Sequence, residues 1–138
     1  MIDEDAVRTA MARYLTRCGY EVIQATDANQ ALERLAGPPV AAMVCDVLMP
    51  GLSGIELLPK AIAKDPDLAV IMLTGVGEPG AAIECLKLGA TDYLIKPVDM
   101  EELALSLQYA LRKRELEIER RSLEQWLARE VAIRTRDL

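Results

Sequence analysis

Residues 41–54 read AAMVCDVLMPGLSG, an apolar run that ends in one acidic residue and continues into a turn. A short run that is apolar throughout is typical of a strand that a parallel sheet buries on both faces. Asp46 follows this run directly, so its carboxylate is predicted to lie at the carboxyl end of a strand. In open α/β sheets the loops beyond these strand ends form the crevice where chemistry takes place. Asp46 is therefore a candidate nucleophile or metal ligand.

Strand-like runs alternate with segments of helical period along most of the chain. Strands are predicted at 22–25, 41–45, 69–73 and 93–95, and helices at 5–17, 28–36, 54–64 and 79–88. This alternation is typical of an α/β protein, in which helices cover both faces of a parallel sheet.

The last third of the chain reads as one long helix. Asp99 and Glu102 have the spacing of a capping box, and no Gly or Pro follows from Met100 to Leu138. We therefore predict a domain at 1–112 and a helical extension at 113–138. The extension carries apolar residues, such as Leu116 and Leu123, among many charges. This pattern fits either a dimeric coiled coil or a solvated single helix.

Composition excludes several classes of function. The chain has 138 residues, 51% of them hydrophobic, and a net charge of −6, and it contains no histidine. Serine–histidine and cysteine–histidine nucleophile pairs, histidine metal sites and histidine phosphodonors are therefore excluded. The acidic balance argues against direct binding of nucleic acid, which needs clustered basic residues. Without a membrane span or a signal pattern, a cytoplasmic protein is predicted, and its three cysteines are expected to be buried reduced thiols.

Three further polar residues fall next to predicted strand ends. Asp3 lies just before the first helix, Thr74 ends the apolar run 69–73, and Lys96 follows the run 93–95. With Asp46, they are expected to meet at one edge of the sheet. Two carboxylates held close repel each other, and a hard cation such as Mg²⁺ relieves that repulsion. A lysine and a hydroxyl beside them suit an incoming phosphoryl group, whose transfer depends on positioning and charge neutralisation.

Four stretches carry a family resemblance, namely residues 3–8, 46–51, 73–75 and 89–97. In this order and spacing the chain resembles a response-regulator receiver domain, the CheY-like phosphoacceptor of two-component signalling. The resemblance implies a flavodoxin-like, doubly wound parallel sheet of strand order 2-1-3-4-5, followed here by the long C-terminal helix. It also implies a signalling domain rather than an independent enzyme.

The resemblance assigns roles to five residues. Asp46 would accept a phosphoryl group from the phosphohistidine of a partner histidine kinase or phosphotransfer protein. The side chains of Asp3 and Asp46 and the backbone carbonyl of Leu48 would bind Mg²⁺. The Thr74 hydroxyl would hydrogen-bond to a phosphoryl oxygen, and Lys96 would pair with it.

The resemblance also implies a switch and an output. Thr74 would move toward the new phosphoryl oxygens, and Tyr93 would turn from a solvent-facing to an inward rotamer. The Lys96–Pro97 peptide would be cis. Residues 120–138 resemble the helical linker that follows the receiver in HD-GYP response regulators, so the long helix would pass the change to an output domain. A homodimer through this helix is expected.

The start of the chain departs from the family pattern. Receivers begin with an apolar strand and two adjacent acids, whereas here Ile2 occupies the position of the first acid and the first strand is missing. In the 2-1-3-4-5 order that strand lies between strands two and three. Three explanations compete: the sequence starts late, another copy or a rearrangement fills the place, or the domain is a degraded receiver that is not phosphorylated. All three explanations stay open.

Two other functions compete with a phosphorylated receiver. One is a receiver-like dimerisation or interaction module that works without phosphate. The other is an aspartate-nucleophile phosphatase of related topology, but these enzymes resemble one another in a second acid two residues after the nucleophile, where this chain has Leu48. Flavin or dinucleotide binding is not supported, because no Gly-x-Gly-x-x-Gly motif follows a strand.

Overall fold

The computed structural model describes residues 4–48, 53–75, 77 and 79–136. The elements, in chain order, are α1 Glu4–Arg17, α2 Ala28–Ala36, β1 Ala42–Asp46, α3 Gly54–Lys64, β2 Ala69–Thr74, α4 Pro79–Lys87, β3 Asp92–Ile95 and α5 Met100–Arg136. All five helices and three of the four predicted strands are therefore confirmed, with ends that agree within two residues.

The three strands form one parallel sheet in the order β1-β2-β3. Ala42 pairs with Ala69 at the start of β1, and Asp46 pairs with Leu73 at its end. Every residue of the central strand β2 is buried, which explains why its sequence is a continuous apolar run closed by Thr74. The architecture is the flavodoxin-like α/β fold that the sequence predicts.

Helices cover both faces of the sheet and divide the core into two layers. The first layer joins α2, α3 and α4 to the sheet and includes Leu57, Met72 and Cys85. The second layer joins α1 and α5 to the opposite face and includes Leu15 and Leu103. Because the three strands are parallel, their carboxyl ends lie together at one open edge of the sheet, between the two layers of helices.

The prediction of a strand at 22–25 was wrong, because this segment forms no strand in the structure. Its apolar pattern is real, since Val22 packs against the second core layer. A strand, however, also needs a hydrogen-bonded neighbour, and the described residues place no strand beside 22–25. The segment therefore runs without ladder hydrogen bonds, and the described sheet has three strands rather than four.

Local signals in the sequence explain the ends of several helices. The Asp27 side chain accepts a hydrogen bond from the Gln30 N–H at 2.8 Å and caps α2. Gly89 follows α4 with a φ of +109°, a backbone conformation that glycine adopts without strain. The Asp99 side chain accepts from the Glu101 N–H at 2.9 Å at the start of α5. None of the described helices is long and apolar enough to cross a membrane.

The cysteines are free thiols, as expected, but one of them is not buried. Cys45 and Cys85 lie in the core, whereas Cys18 is exposed just after the last turn of α1. The expectation of three buried thiols was wrong for Cys18, because the helix ends before this residue and turns it away from the core.

Candidate functional site

Asp46 is the last residue of β1 and lies at the open edge of the sheet. Its Oδ1 accepts a hydrogen bond from the Leu48 N–H at 2.9 Å, so the turn that follows the strand orients the carboxylate. About a quarter of the side chain is exposed. The carboxylate is thus held in position and remains accessible from solvent.

Lys96 brings a positive charge to this carboxylate from 50 residues further along the chain. Its ammonium group pairs with Asp46 Oδ2. The Lys96 N–H also donates to the Thr74 carbonyl at 2.8 Å, which fixes the backbone just after β3. The Lys96–Pro97 peptide bond is cis, as the resemblance predicts. The expected juxtaposition of Asp46 and Lys96 is therefore present in the structure.

Thr74 ends the central strand and is 1% exposed. A buried polar residue at the end of an otherwise apolar strand is unusual, because a hydroxyl buried without a partner costs free energy. Its position at the end of β2 places it at the same edge of the sheet as Asp46, at the end of β1, and Lys96, just beyond β3. The three residues therefore share one end of the fold, as predicted.

Gly54 is a site residue that the motif reasoning did not assign a role. Its N–H donates to the Val47 carbonyl at 2.8 Å, which closes the loop between Asp46 and α3. A Cβ at position 54 would lie 2.2 Å from the Asp46 carbonyl oxygen. The loop can therefore return to the strand end only if residue 54 has no side chain. A glycine that opens a helix directly after the acidic turn, where better helix formers exist, was the available signal.

The expected metal site is only partly within the described residues. Asp3 lies outside them, and the part of the chain that the structure describes contains no group of three or more acidic, cysteine or histidine residues placed to hold a metal. The donors that are described fit a hard cation by their chemistry. Asp46 provides a carboxylate and Leu48 a backbone carbonyl, and Mg²⁺ takes one or two carboxylates and keeps several waters.

Tyr93 lies in β3 and is half-buried against the first core layer. Its N–H is bound by the Asp92 side chain at 2.8 Å. The structure contains one position of this ring, so its exchange between two rotamers stays a prediction.

Comparison with known proteins explains this arrangement. A family model of the response regulator receiver domain matches residues 2–108. The chain belongs to this family. The acid at the end of β1, the threonine at the end of β2 and the lysine after β3 are thus found in a receiver, a signalling domain of two-component systems.

The curated relatives of this receiver include an enzyme and a transcriptional regulatory protein. It is 38% identical over 120 residues to a cyclic di-GMP phosphodiesterase of Thermotoga maritima, a match that covers 87% of this chain and 32% of that protein. It is 35% identical over 133 residues to the transcriptional regulatory protein FixJ of Bradyrhizobium diazoefficiens, covering 96% of this chain and 65% of that one. The receiver therefore spans less than two thirds of the length of these relatives.

Solved structures show the same fold. NtrX from Brucella abortus matches with a TM-score of 0.82 and 30% identity, over 88% of this chain and 28% of that one. A response regulator receiver domain protein from Clostridium thermocellum matches with a TM-score of 0.78 and 30% identity, over 82% of this chain and 91% of that one. The second structure is covered almost completely, so the likeness extends over a whole receiver.

Proposed function

We propose that Asp46 accepts a phosphoryl group from the phosphohistidine of a histidine kinase or phosphotransfer protein, and that α5 passes the resulting change to an output domain. The observation that carries this proposal is the accessible Asp46 carboxylate paired with the Lys96 ammonium group at the open edge of the sheet. A carboxylate kept there only for stability would need no access to solvent.

The contacts of Asp46 suggest how the transfer proceeds. Oδ1 accepts from the Leu48 N–H and Oδ2 from Lys96, so Oδ2 attacks phosphorus as the Lys96 ammonium group moves its contact to the incoming phosphoryl oxygens. The new P–O bond forms as the P–N bond to the donor imidazole breaks, and the bonding electrons return to that ring. Lys96 then neutralises charge on the phosphoryl oxygens, and the Thr74 hydroxyl donates a hydrogen bond to one of them.

A divalent cation would add to this charge neutralisation. Asp46, the Leu48 carbonyl and Asp3 are the residues that would hold Mg²⁺, which supplies electrostatic stabilisation of the phosphoryl oxygens when bound. Weakened phosphorylation is expected relative to a receiver with two adjacent acids, since Ile2 cannot contribute a carboxylate.

The proposal is tested by the intact mass of the protein after incubation with acetyl phosphate and Mg²⁺. The wild type should gain the mass of one phosphoryl group, and Asp46→Asn should gain none. Asp65→Asn is the matched control, because Asp65 lies before β2, at the opposite edge of the sheet, and this variant should react like the wild type. An adduct on Asp46→Asn, or none on a folded wild type, contradicts the proposal. The second result would favour an interaction module that works without phosphate.

A stripe of exposed apolar residues supports dimerisation through α5. Its members are Leu105, Tyr109, Leu116, Leu123 and Leu127, each between 47% and 66% exposed. Their spacings of four and seven residues place them on one face of the helix. Apolar residues that recur on one face of a solvated helix, here with Arg112, Glu119 and Arg120 between them, are typical of a surface that pairs with another helix. We therefore infer that two copies associate along this face of α5.

Sedimentation equilibrium tests this association. Leu123→Arg should shift the protein toward monomer, because a charge in the apolar seam would be buried without a partner. Ser122→Arg is the matched control, since its side chain points to a different face of α5 and should leave the association unchanged. A wild type that is monomeric at all concentrations, or equal effects of the two substitutions, would contradict a dimer through this stripe.

A further inference from the structure

The exposed stripe of α5 belongs to a longer seam with a regular repeat. The nine seam positions from Leu105 to Ile133 follow one another at alternating steps of four and three residues. This is the heptad spacing of a helix that pairs with another helix. The apolar members of the seam are each between 48% and 66% exposed, and they are Leu105, Tyr109, Leu116, Leu123, Trp126 and Ile133. The seam therefore runs from the domain-bound part of α5 into its tail.

The seam faces away from the domain. Helix α5 packs in the core through Leu103, Leu107 and Ala110, which are buried. Arg121 continues this inner face in the tail, where it forms an ion pair with Asp67. On an α-helix these positions lie on the side opposite the seam. A second helix can therefore lie along the whole seam without displacing any contact between α5 and the domain.

The other three seam positions carry charge, and they are Arg112, Glu119 and Glu130. In a parallel, in-register pair of helices each seam residue faces its own counterpart. All three charged positions would then form layers of like charge. A charge without an opposite partner is costly in an apolar seam, because it loses contact with water. The sequence of the seam therefore disfavours a parallel pair.

We propose that two copies of this chain pair through the seam in antiparallel orientation, with Arg112 of each copy against Glu130 of the other. The proposal rests on the association through α5 inferred above and specifies its geometry. Both charges are available for this contact. Arg112 contacts Glu115 of its own helix at 3.4 Å, and both side chains are more than half exposed. Within the described part of the chain, Glu130 takes part in no ion pair.

The pairing of Arg112 with Glu130 also fixes the register of the two helices. Its apolar layers join Tyr109 to Ile133 and Leu116 to Trp126. A shift by one heptad in one direction would place Glu119 against Glu130, and a shift in the other would place Arg112 against Leu123. The cost that remains in the proposed register is Glu119, which faces Leu123. This is the antiparallel register in which the apolar layers and the opposite charges coincide.

Antiparallel pairing places the end of each tail on the receiver of the second copy. The contact from Tyr109 to Ile133 extends over roughly 36 Å at 1.5 Å per residue. At its ends, Ile133 of one copy lies against Tyr109 of the other, on the outer face of the domain-bound part of α5. The partner that this outer face accepts is thus the tail of a second copy.

Crosslinking of the whole chain tests the orientation. In a Cys18→Ser background, which removes the exposed thiol, Tyr109→Cys and Ile133→Cys each add one reactive thiol. With a short bismaleimide, a mixture of the two variants should form a covalent dimer that joins positions 109 and 133. Neither variant alone should do so, because its two thiols lie at opposite ends of the contact.

The outcomes separate the orientation from the association itself. A covalent dimer of either variant alone would overturn the antiparallel orientation and leave the association in place. No covalent dimer in any sample would also overturn it, and sedimentation equilibrium of the wild type then shows whether the association fails as well.

Charge reversal tests the contact between Arg112 and Glu130. Glu130→Arg should raise the dissociation constant of the dimer about tenfold, because Arg112 then meets a like charge at both symmetric contacts. Addition of Arg112→Glu restores opposite charges and should return the constant close to that of the wild type. Ala128→Arg is the control, because it adds a positive charge on the opposite face of the tail. A double variant no tighter than Glu130→Arg, or an equal effect of Ala128→Arg, would overturn the proposal.

Discussion

Arg121 of α5 forms an ion pair with Asp67, in the loop that leads into β2. The Arg121 Nη2 donates to Asp67 Oδ1 at 2.5 Å, across 54 residues of sequence. The Asp67 N–H is itself bound by the Asp65 side chain at 3.0 Å, and Asp67 raises the pKa of Arg121. The helix is thus tied to the domain beyond residue 112, outside the part that packs in the core. This contact braces the C-terminal part of α5, the tail beyond residue 112, against the domain.

Loss of this ion pair should free the tail while leaving the core intact. We expect Arg121→Gln to lower the fluorescence anisotropy of Trp126, the single tryptophan, with little change in the thermal unfolding midpoint. Arg120→Gln is the matched control, because Arg120 pairs within the helix with Glu117 and Glu124. High salt should lower the anisotropy of the wild type part of the way toward that of Arg121→Gln, since salt partly screens an ion pair that is partly open to solvent. An equal loss of anisotropy in both variants would contradict a tether at Asp67.

Gly54 should tolerate no side chain. In Gly54→Ala the added Cβ would overlap the Asp46 carbonyl, so the loop must shift, and we expect a loss of about 2 kcal/mol or more in the free energy of unfolding. Urea denaturation measures this loss. Gly80→Ala is the matched control, because a Cβ on this helical glycine meets nothing within 4 Å. That variant should be unchanged or stabilised by up to about 1 kcal/mol. Similar stabilities for the two variants would show that the loop is not held against β1.

The Cys45 thiol should make the folded protein less stable as the pH rises above about 9. Burial, and next the charge of Asp46, raise the pKa of this thiol from 9.0 to about 12. Between these values the unfolded chain releases the proton and the folded chain keeps it, so the free energy of unfolding falls as pH rises. At pH 10 the loss from this group should be about 1.4 kcal/mol.

Urea denaturation at pH 7 and pH 10 compares the wild type with Cys45→Ala. The alanine variant lacks this group, so its stability should fall less between the two pH values, whatever other groups titrate in both proteins. A fall as large as that of the wild type would mean that the Cys45 thiol ionises as readily in the folded protein as in the unfolded chain.

Ser106 couples α5 to the start of β3. The Ser106 side chain is buried, and its hydroxyl donates a hydrogen bond to Asp92 Oδ2 at 2.6 Å. Removal of a hydrogen bond to a half-buried carboxylate should cost about 1 kcal/mol or more, so Ser106→Ala should lower the thermal unfolding midpoint. Ser122→Ala changes an exposed serine of the same helix and should have no such effect. If the two substitutions act alike, the bond to Asp92 does not stabilise the fold.

The local patterns of the sequence determined most of the secondary structure and the candidate site. Apolar runs predicted β1, β2 and β3, because burial on both faces of a parallel sheet leaves that pattern in the strand itself. The Asp27 side chain was predicted to cap α2, and it does. The absence of Gly and Pro after Met100 predicted one helix to the end of the chain, and the structure describes this helix, α5, as far as Arg136. The meeting of Asp46 with Lys96 followed from the order of the strands, since parallel strands end at one edge.

The tertiary structure decided what depends on a neighbour distant in sequence. Segment 22–25 has the pattern of a strand, but a ladder needs a partner strand, and none lies beside it among the described residues. Gly54 is required because a Cβ at this position would lie 2.2 Å from the Asp46 carbonyl oxygen. No local sequence pattern reveals this contact. Arg121 and Asp67 meet only because the unbroken helix α5 runs along the domain to the loop before β2. A local sequence pattern reflects which residues are buried and which backbone conformation they prefer. The pairing of strands and the close approach of residues distant in sequence exist only once the chain has folded.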